Sequence, residues 1–351
     1  MERSDQKTAY QAEMLFNRLT KRHRHLKKWA ARIDTDAFRL YDRDIPEIPL
    51  QIDLYNDAVC GALFERPYEK SEEEEALWLR VMTEAIAHAT LIPAERIFLK
   101  IRKRQRGDGQ YVRLVHQNFF VDVHECGLTF RTNLSDYLDT GLFLDRRKLR
   151  LLVQQAAAKP NNGTRVKVLN LFCYTGAFSV YAVSTGGTVE VDSVDLSNTY
   201  LDWAKVNCML NRVEAELLPQ ESVLAVPAPH TRCLPRCRLI RADALRFIDE
   251  AVRRKRTWDI IILDPPTFSN SKKMYSDFDV NRDHQTLIAN CLTLLNPGGA
   301  LYFSTNARRF VLTGAGLPNR YTRRNITEQL RDEDFRGKTM PACWVFKKPP
   351  C

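Results

Sequence analysis

Between residues 166 and 305 five short apolar runs, KVLNLF, VEVDSVD, CRLI, WDIIILD and ALYFST, alternate with helical patterns after Gly176 and at 198–210, 244–254 and 280–295. This alternation constrains the fold more than any other feature. Parallel neighbours need a long crossover, usually a helix, so the pattern predicts an α/β fold: a mostly parallel sheet with helices on both faces. It also says where to look for a ligand, because open parallel sheets bind beyond the carboxyl ends of their strands. A stretch with four prolines and no period, 212–236, predicts a surface insertion.

Upstream the pattern differs. From about 37 to 130, runs rich in β-branched and aromatic residues (FRLYD, LQIDLYN, AVCGALFER, RIFLKIRK, YVRLVHQ, FFVDVHE, LTFRTNL) surround one helix at 72–89, begun by Ser71 and a glutamate run and stopped near Pro93. With a turn at Gly107-Asp108-Gly109 they predict a small α+β domain. Residues 5–32 lack Gly and Pro, and Met14, Leu15, Leu19, Leu26 and Trp29 recur at helical spacing, which predicts one or two amphipathic helices. The expected organisation is a basic helical lead-in at 1–34, the α+β domain at 35–135 and the α/β domain at 136–351. A length of 351 residues accommodates two cores.

The net charge of +10 points to a polyanionic partner. The excess is clustered: residues 1–33 carry nine Lys or Arg against three acids, and 100–106 read KIRKRQR. Lys21, Arg22, Arg24 and Lys28 on the first run, and Arg102, Lys103 and Arg104 on the second, are therefore candidate RNA contacts, with the 35–135 domain assisting. No apolar run reaches the roughly 18 residues of a membrane span, and the first fifteen residues do not read as a signal peptide. Nine scattered cysteines, an odd number, read as reduced thiols. A cytoplasmic protein without a membrane partner is expected. Cys233 and Cys237 form a CxxxC with no second pair nearby, a poor basis for zinc, and no metal site is expected.

The strand ends carry the chemistry. The first reads Leu169-Asn170-Leu171-Phe172-Cys173-Tyr174-Thr175-Gly176, with one glycine where a dinucleotide fold wants three. This loop turns tightly but makes a poor phosphate cradle. The second strand ends at Asp195, placed to accept both ribose hydroxyls of an adenosine, with Ser197 following as a helix N-cap. Asp243 follows the third, within reach of an adenine amino group, although either acid would also serve as a helix cap. A tight loop, two acids and no phosphate cradle together suit S-adenosylmethionine. The fourth strand, Ile260-Ile261-Ile262-Leu263, runs into Asp264-Pro265-Pro266-Thr267-Phe268. Two prolines stiffen this turn, its acid faces the site, and the aromatic stands ready to stack on a base. Asp264, Pro265, Pro266 and Phe268 are the candidate catalytic group.

The segments FNRL (16–19), FRLYD (38–42), NLSDYLDTGLFLD (133–145), NLFCYTG (170–176), DPPTFSNSK (264–272) and FDVNRDH (278–284) give a resemblance over nearly the whole chain. It resembles the RlmK family, the C-terminal methyltransferase half of the bifunctional ribosomal RNA guanine methyltransferases RlmKL. The resemblance implies a Rossmann-like class I methyltransferase domain with a seven-stranded sheet, and S-adenosylmethionine-dependent methylation of guanine N7 in large-subunit ribosomal RNA. It places the donor on Asn170, Phe172, Tyr174, Thr175, Gly176, Asp195, Ser197, Asp243 and Asp264, with Phe143, Asp145 and Arg147 over its methionine part. It also implies a partner half, an N2-guanine methyltransferase, that this chain does not contain. Where the family has His-Asn-Cys-Trp this chain has Pro341-Ala342-Cys343-Trp344, so that histidine's role does not carry over.

Guanine N7 keeps an in-plane lone pair, so transfer needs alignment of the reactants and little acid or base help. Cytosine C5 would need a cysteine nucleophile, which the loops DPPTF and FSTNARRF lack, and Cys291 falls within a helical pattern. Two alternatives stay open: methylation of an exocyclic amine (N2 of guanine or N6 of adenine), and a non-catalytic RNA-binding or ribosome-assembly factor on the same fold.

Overall fold

A computed structural model describes residues 2–65, 71–102, 117–158, 165–185, 189–224, 236–269, 277–313 and 320–350. They divide into two compact units, Met1–Leu144 with Asp332–Lys338, and Asp145–Arg331 with Thr339–Cys351. The division differs from the expected one in three ways, the first being that the boundary falls after Leu144 instead of after 135. The expected lead-in belongs to the first unit, and a short segment from late in the chain returns to that unit.

In the first unit, α1 (Glu2–Arg32) is one continuous helix that packs on α2 (Glu72–Thr90). Its apolar stripe explains why it is not a free arm. Leu15, Leu19, Leu26 and Trp29 are buried in one cluster with Trp78, Met82 and Ile86 of α2, and Trp78 Nε1 donates to Gln11 Oε1 at 2.7 Å. Ser71 caps α2 with a full capping box to Glu74. Strands β1 (Ala37–Asp42), β2 (Leu50–Tyr55) and β3 (Ala58–Phe64) form an antiparallel meander, and β4 (Ile97–Arg102) joins β3 in parallel after the α2 crossover. A separate hairpin pairs β5 (Phe120–Glu125) with β6 (Leu128–Asn133). The returning segment is held by Asp334, fully buried, whose Oδ2 accepts from the Arg39 amide at 3.1 Å. The expected turn at 107–109 lies outside the described residues.

The second unit runs α3 (Arg147–Ala157), β7 (Val166–Leu171), α4 (Ala177–Val183), β8 (Val189–Asp195), α5 (Asn198–Leu210), β9 (Glu214–Leu218), α6 (Gln220–Leu224), β10 (Arg236–Arg241), α7 (Ala244–Arg253) and β11 (Trp258–Leu263). The two-residue strands β12 (Phe268–Ser269) and β13 (Phe278–Asp279) follow, then α8 (Val280–Thr293), β14 (Leu295–Thr305), β15 (Thr322–Asn325) and β16 (Ala342–Lys347). One eight-stranded sheet has the order β15-β16-β14-β11-β7-β8-β10-β9, parallel from β9 to β14 and antiparallel at β16 and β15. Order reverses at β7, which has β8 on one side and β11 on the other, so the switch point lies where those strands end.

Eight strands replace the expected seven. The addition is β9, which comes from the segment expected to be an irregular insertion and pairs Leu217 with Leu239 at the sheet edge. Within the same segment Gln220–Leu224 forms the short helix α6, and 225–235, with Cys233, lies outside the described residues. Among the described residues no helix is long and apolar enough to cross a membrane.

Candidate active site

The loop after β7 is backbone-strained. Phe172 (φ 56°) and Tyr174 (φ 51°) both take the left-handed conformation that bulky residues avoid, and Gly176 (φ 74°) follows. A Cβ on Gly176 would stand 2.8 Å from Ala204 Cβ, so the close approach of α5 also requires glycine there. The loop is pinned by Cys173 N to Val194 O (2.9 Å), Gly176 N to Cys173 O (2.9 Å) and Asn207 Nδ2 to the Thr175 carbonyl (2.8 Å). Tyr174 packs edge-on against Tyr200, centroids 4.6 Å apart. Asn170, buried near the end of β7, donates to Ser179 Oγ at 2.8 Å and so ties that strand to α4.

Asp195 stands half-buried at the end of β8. Its Oδ2 accepts from Tyr174 N at 2.9 Å and its Oδ1 from Ser197 N at 3.0 Å, which ties this carboxylate to the strained loop. Burial pushes its pKa up to about 6, against the lowering effect of the Ser197, Tyr174 and Leu196 amides. Ser197 caps α5. Asp243 caps α7, its Oδ1 accepting from Leu245 N (2.8 Å) and Arg246 N (3.4 Å).

At the end of β11 the acid has partners that the sequence did not show. Asp264 does not present a free carboxylate. It is clamped by Arg146, with Nε to Oδ2 at 3.0 Å and Nη2 to Oδ1 at 2.9 Å, while Ser304 Oγ donates to the same Oδ1 at 2.7 Å. The third nitrogen of Arg146, Nη1, donates to Asn306 Oδ1 at 3.3 Å and lies 3.3 Å from Asp145 Oδ1. The Arg146 side chain is only 3% exposed. Burial acts to lower its pKa, but Asp264 and Asp145 outweigh that and hold the guanidinium firmly charged.

Beyond Asp264, Pro265 is buried and Pro266 half-buried, while Phe268 keeps 42% of its surface exposed on β12, opposite Asp279. The Thr267 carbonyl accepts from Val280 N at 3.1 Å. An exposed phenyl ring at the end of a rigid turn is what base stacking requires. Residues 270–272 of the DPPTFSNSK segment lie outside the described residues.

The resemblance names Arg147, and the arginine bonded to Asp264 is its neighbour Arg146. Arg147 is 1% exposed at the start of α3, and Arg146 bonds Asp264 and Asn306 at the strand ends. A signal was present, because Asp264 follows a fully apolar strand and the Asp-Arg-Arg at 145–147 offers two cations that could pair with it. Phe143 belongs to the first unit.

In that unit Lys21, Arg24 and Lys28 are exposed on α1, as the expected phosphate face requires. Arg22 is not part of that face. Its Nε donates to the Leu40 carbonyl at 3.1 Å and its Nη2 to the Asp334 carbonyl at 3.2 Å, and burial lowers its pKa. Lys103, Arg104 and the side chain of Arg102 lie outside the described residues. Cys173 and Cys291 are buried, and burial raises both thiols far above their ordinary range, so neither is poised as a thiolate. His284 is buried too, with Nδ1 2.9 Å from the Val280 carbonyl.

Residues 40–222 match the model of a family of S-adenosylmethionine-dependent methyltransferases. The chain is 42% identical over 331 residues to ribosomal RNA large subunit methyltransferase K of Neisseria meningitidis serogroup B, covering 94% of this chain and 86% of that protein. It is 40% identical over 335 residues to ribosomal RNA large subunit methyltransferase K/L of Magnetococcus marinus, covering 95% of this chain but only 42% of the relative. It thus spans about two fifths of that K/L relative. Among solved structures, a methyltransferase complexed with SAH superposes with a TM-score of 0.68 at 22% identity, over 96% of this chain and 81% of that one. A SAM-dependent methyltransferase from Agrobacterium tumefaciens gives 0.58 at 19% identity over 91% of each chain. These likenesses show the class I methyltransferase fold.

Proposed function

Because the chain belongs to the S-adenosylmethionine-dependent methyltransferase family, we propose that it methylates guanine N7 in large-subunit ribosomal RNA by direct transfer. The names of the K and K/L relatives support the RNA. The observation that carries the choice of atom is the clamped state of Asp264. Three bonds, two from Arg146 and one from Ser304, occupy most of the roughly four acceptor positions of its carboxylate. An exocyclic amine carries protons that need an acceptor as the new bond forms. N7 has a lone pair and no proton, so it asks nothing of that carboxylate.

The residues at the strand ends fit the donor. Asp195 would accept its ribose hydroxyls, Asp243 would take the adenine amino group, and the Phe172–Gly176 loop, which has no phosphate cradle, would line the site. When bound, the donor supplies a methyl group on a cationic sulfur. The N7 lone pair takes the methyl carbon as the carbon–sulfur bond breaks, and the positive charge passes to the purine. Phe268 stacks on that purine, and the Pro265-Pro266 turn holds it in line.

Transcripts in which 7-deazaguanine replaces guanine test the target atom. No labelled methyl should enter them, whereas transfer at the rate seen with unmodified RNA would overturn the N7 reading.

Two further results are expected. Cys173→Ala and Cys291→Ala should each keep at least about half of the activity, and RNA containing 5-fluorocytosine should form no covalent adduct, because direct transfer has no thiolate step. A band shifted on a denaturing gel would revive cysteine catalysis. Replacing Lys21, Arg24 and Lys28 together with Gln should weaken RNA binding regardless of sequence. Its dependence on log salt should also flatten, by roughly 0.7 for each single-strand phosphate that the variant no longer neutralises. Parallel lines for mutant and wild type in filter binding would assign this face to solvent.

A further inference from the structure

The geometry points to Arg146 as a positioning residue for transfer, a keystone that fixes the Asp264-Pro265-Pro266 turn against the end of β14. One guanidinium spends its nitrogens on two loops: Nε and Nη2 on Asp264 after β11, and Nη1 on Asn306 after β14. Ser304, near the end of β14, ties the same two strand ends together through Asp264 Oδ1. These strands are hydrogen-bonded neighbours, with Leu263 opposite Phe303, so the clamp closes the strand ends one residue beyond their last shared rung. The planar fork of arginine matches a carboxylate bidentately, and burial at 3% exposure keeps water from competing for those bonds.

Two prolines follow Asp264, and Phe268 lies four residues on. Proline restricts the chain, so an error in the direction of Asp264 carries to Phe268 instead of being absorbed. Arg146 itself touches neither reactant. It acts through the turn, and its loss misplaces the stacking ring while Asp195 and the Phe172–Gly176 loop stay as they are.

The inference rests on the methyl-transfer reading for its kinetic arm only. Arg146→Lys keeps the charge, but one ammonium cannot span both carboxylate oxygens and Asn306. In that variant the amides of Thr267, Phe268 and Ser269 should exchange hydrogen at least about tenfold faster without donor or RNA, donor affinity by calorimetry should stay within about threefold, and single-turnover transfer at saturating donor and RNA should fall at least about twentyfold. Ser304→Ala removes a single bond to Asp264 and should move exchange and rate the same way by about threefold to tenfold, and it decides the matter should Arg146→Lys fail to fold. Unchanged exchange at 267–269 in the variants that fold overturns the proposal. A donor affinity that falls in step with the rate overturns it too, because Arg146 would then be holding the donor. Should wild-type protein fail to methylate ribosomal RNA, the substrate reading falls, and the exchange measurement still decides the clamp.

Discussion

Asp264→Asn is expected to reduce single-turnover transfer by about a hundredfold or more, and to destabilise the protein, while donor affinity changes by less than about fivefold. Asparagine keeps the shape of the side chain but offers one acceptor oxygen and an amide that faces the guanidinium with its own protons. Arg146, 3% exposed, would then be a buried cation whose best counter-charge is gone. Breaking a buried pair by removing one partner typically costs about 3 to 5 kcal/mol. The low end is expected here, because Asp145 remains 3.3 Å from Nη1 and offsets part of the loss. Urea denaturation reads the stability, and rapid-quench transfer with calorimetry reads the split between rate and binding. A variant with unchanged denaturation midpoint and full rate would strip Asp264 of both roles.

The second large effect concerns the donor. Asp195→Ala should weaken S-adenosylmethionine binding by about tenfold to a hundredfold, the roughly 1.5 to 3 kcal/mol expected for charge-assisted hydrogen bonds to the ribose. Binding should also depend on pH, because burial raises this carboxyl to about 6. An acid with a raised folded-state pKa adds stability below its unfolded value, near 3.8, and that contribution is lost as pH rises through about 6. With the proposed ribose contact, donor binding runs the opposite way, since hydroxyls would donate to the ionised form. Affinity should therefore be flat above about pH 7 and fall by up to about tenfold per unit below about 6, and that slope should vanish in the alanine variant. Wild-type calorimetry flat from pH 5 to 8 would contradict the assignment.

The parts of this site that were legible in the sequence follow from periodicity. Strands alternating with helices forced a parallel sheet, the strand-end rule then applied, and Asp195, Asp243 and Asp264 do stand at or just past the ends of β8, β10 and β11. Arg146 escaped because its partner lies 118 residues away, and a pairing of that range leaves no local pattern. The strand β9 escaped because it is a short edge strand: Glu214, Glu216 and Leu217 are exposed, so no buried face shows in its sequence, and Pro219 follows at once. The charge on α1 was legible, but its division was not. Arg22 looked like its neighbours and is occupied by two backbone carbonyls, one of them in the segment that returns from the far end of the chain.

The central claim, direct methylation of guanine N7, is tested most directly by identifying the product. Large-subunit ribosomal RNA from cells lacking this protein would be incubated with it and isotopically labelled donor, digested to nucleosides and resolved by mass spectrometry. Direct transfer to N7 puts the label in 7-methylguanosine. Label in N2-methylguanosine or N6-methyladenosine, or no label in RNA under conditions where the donor binds, would contradict it.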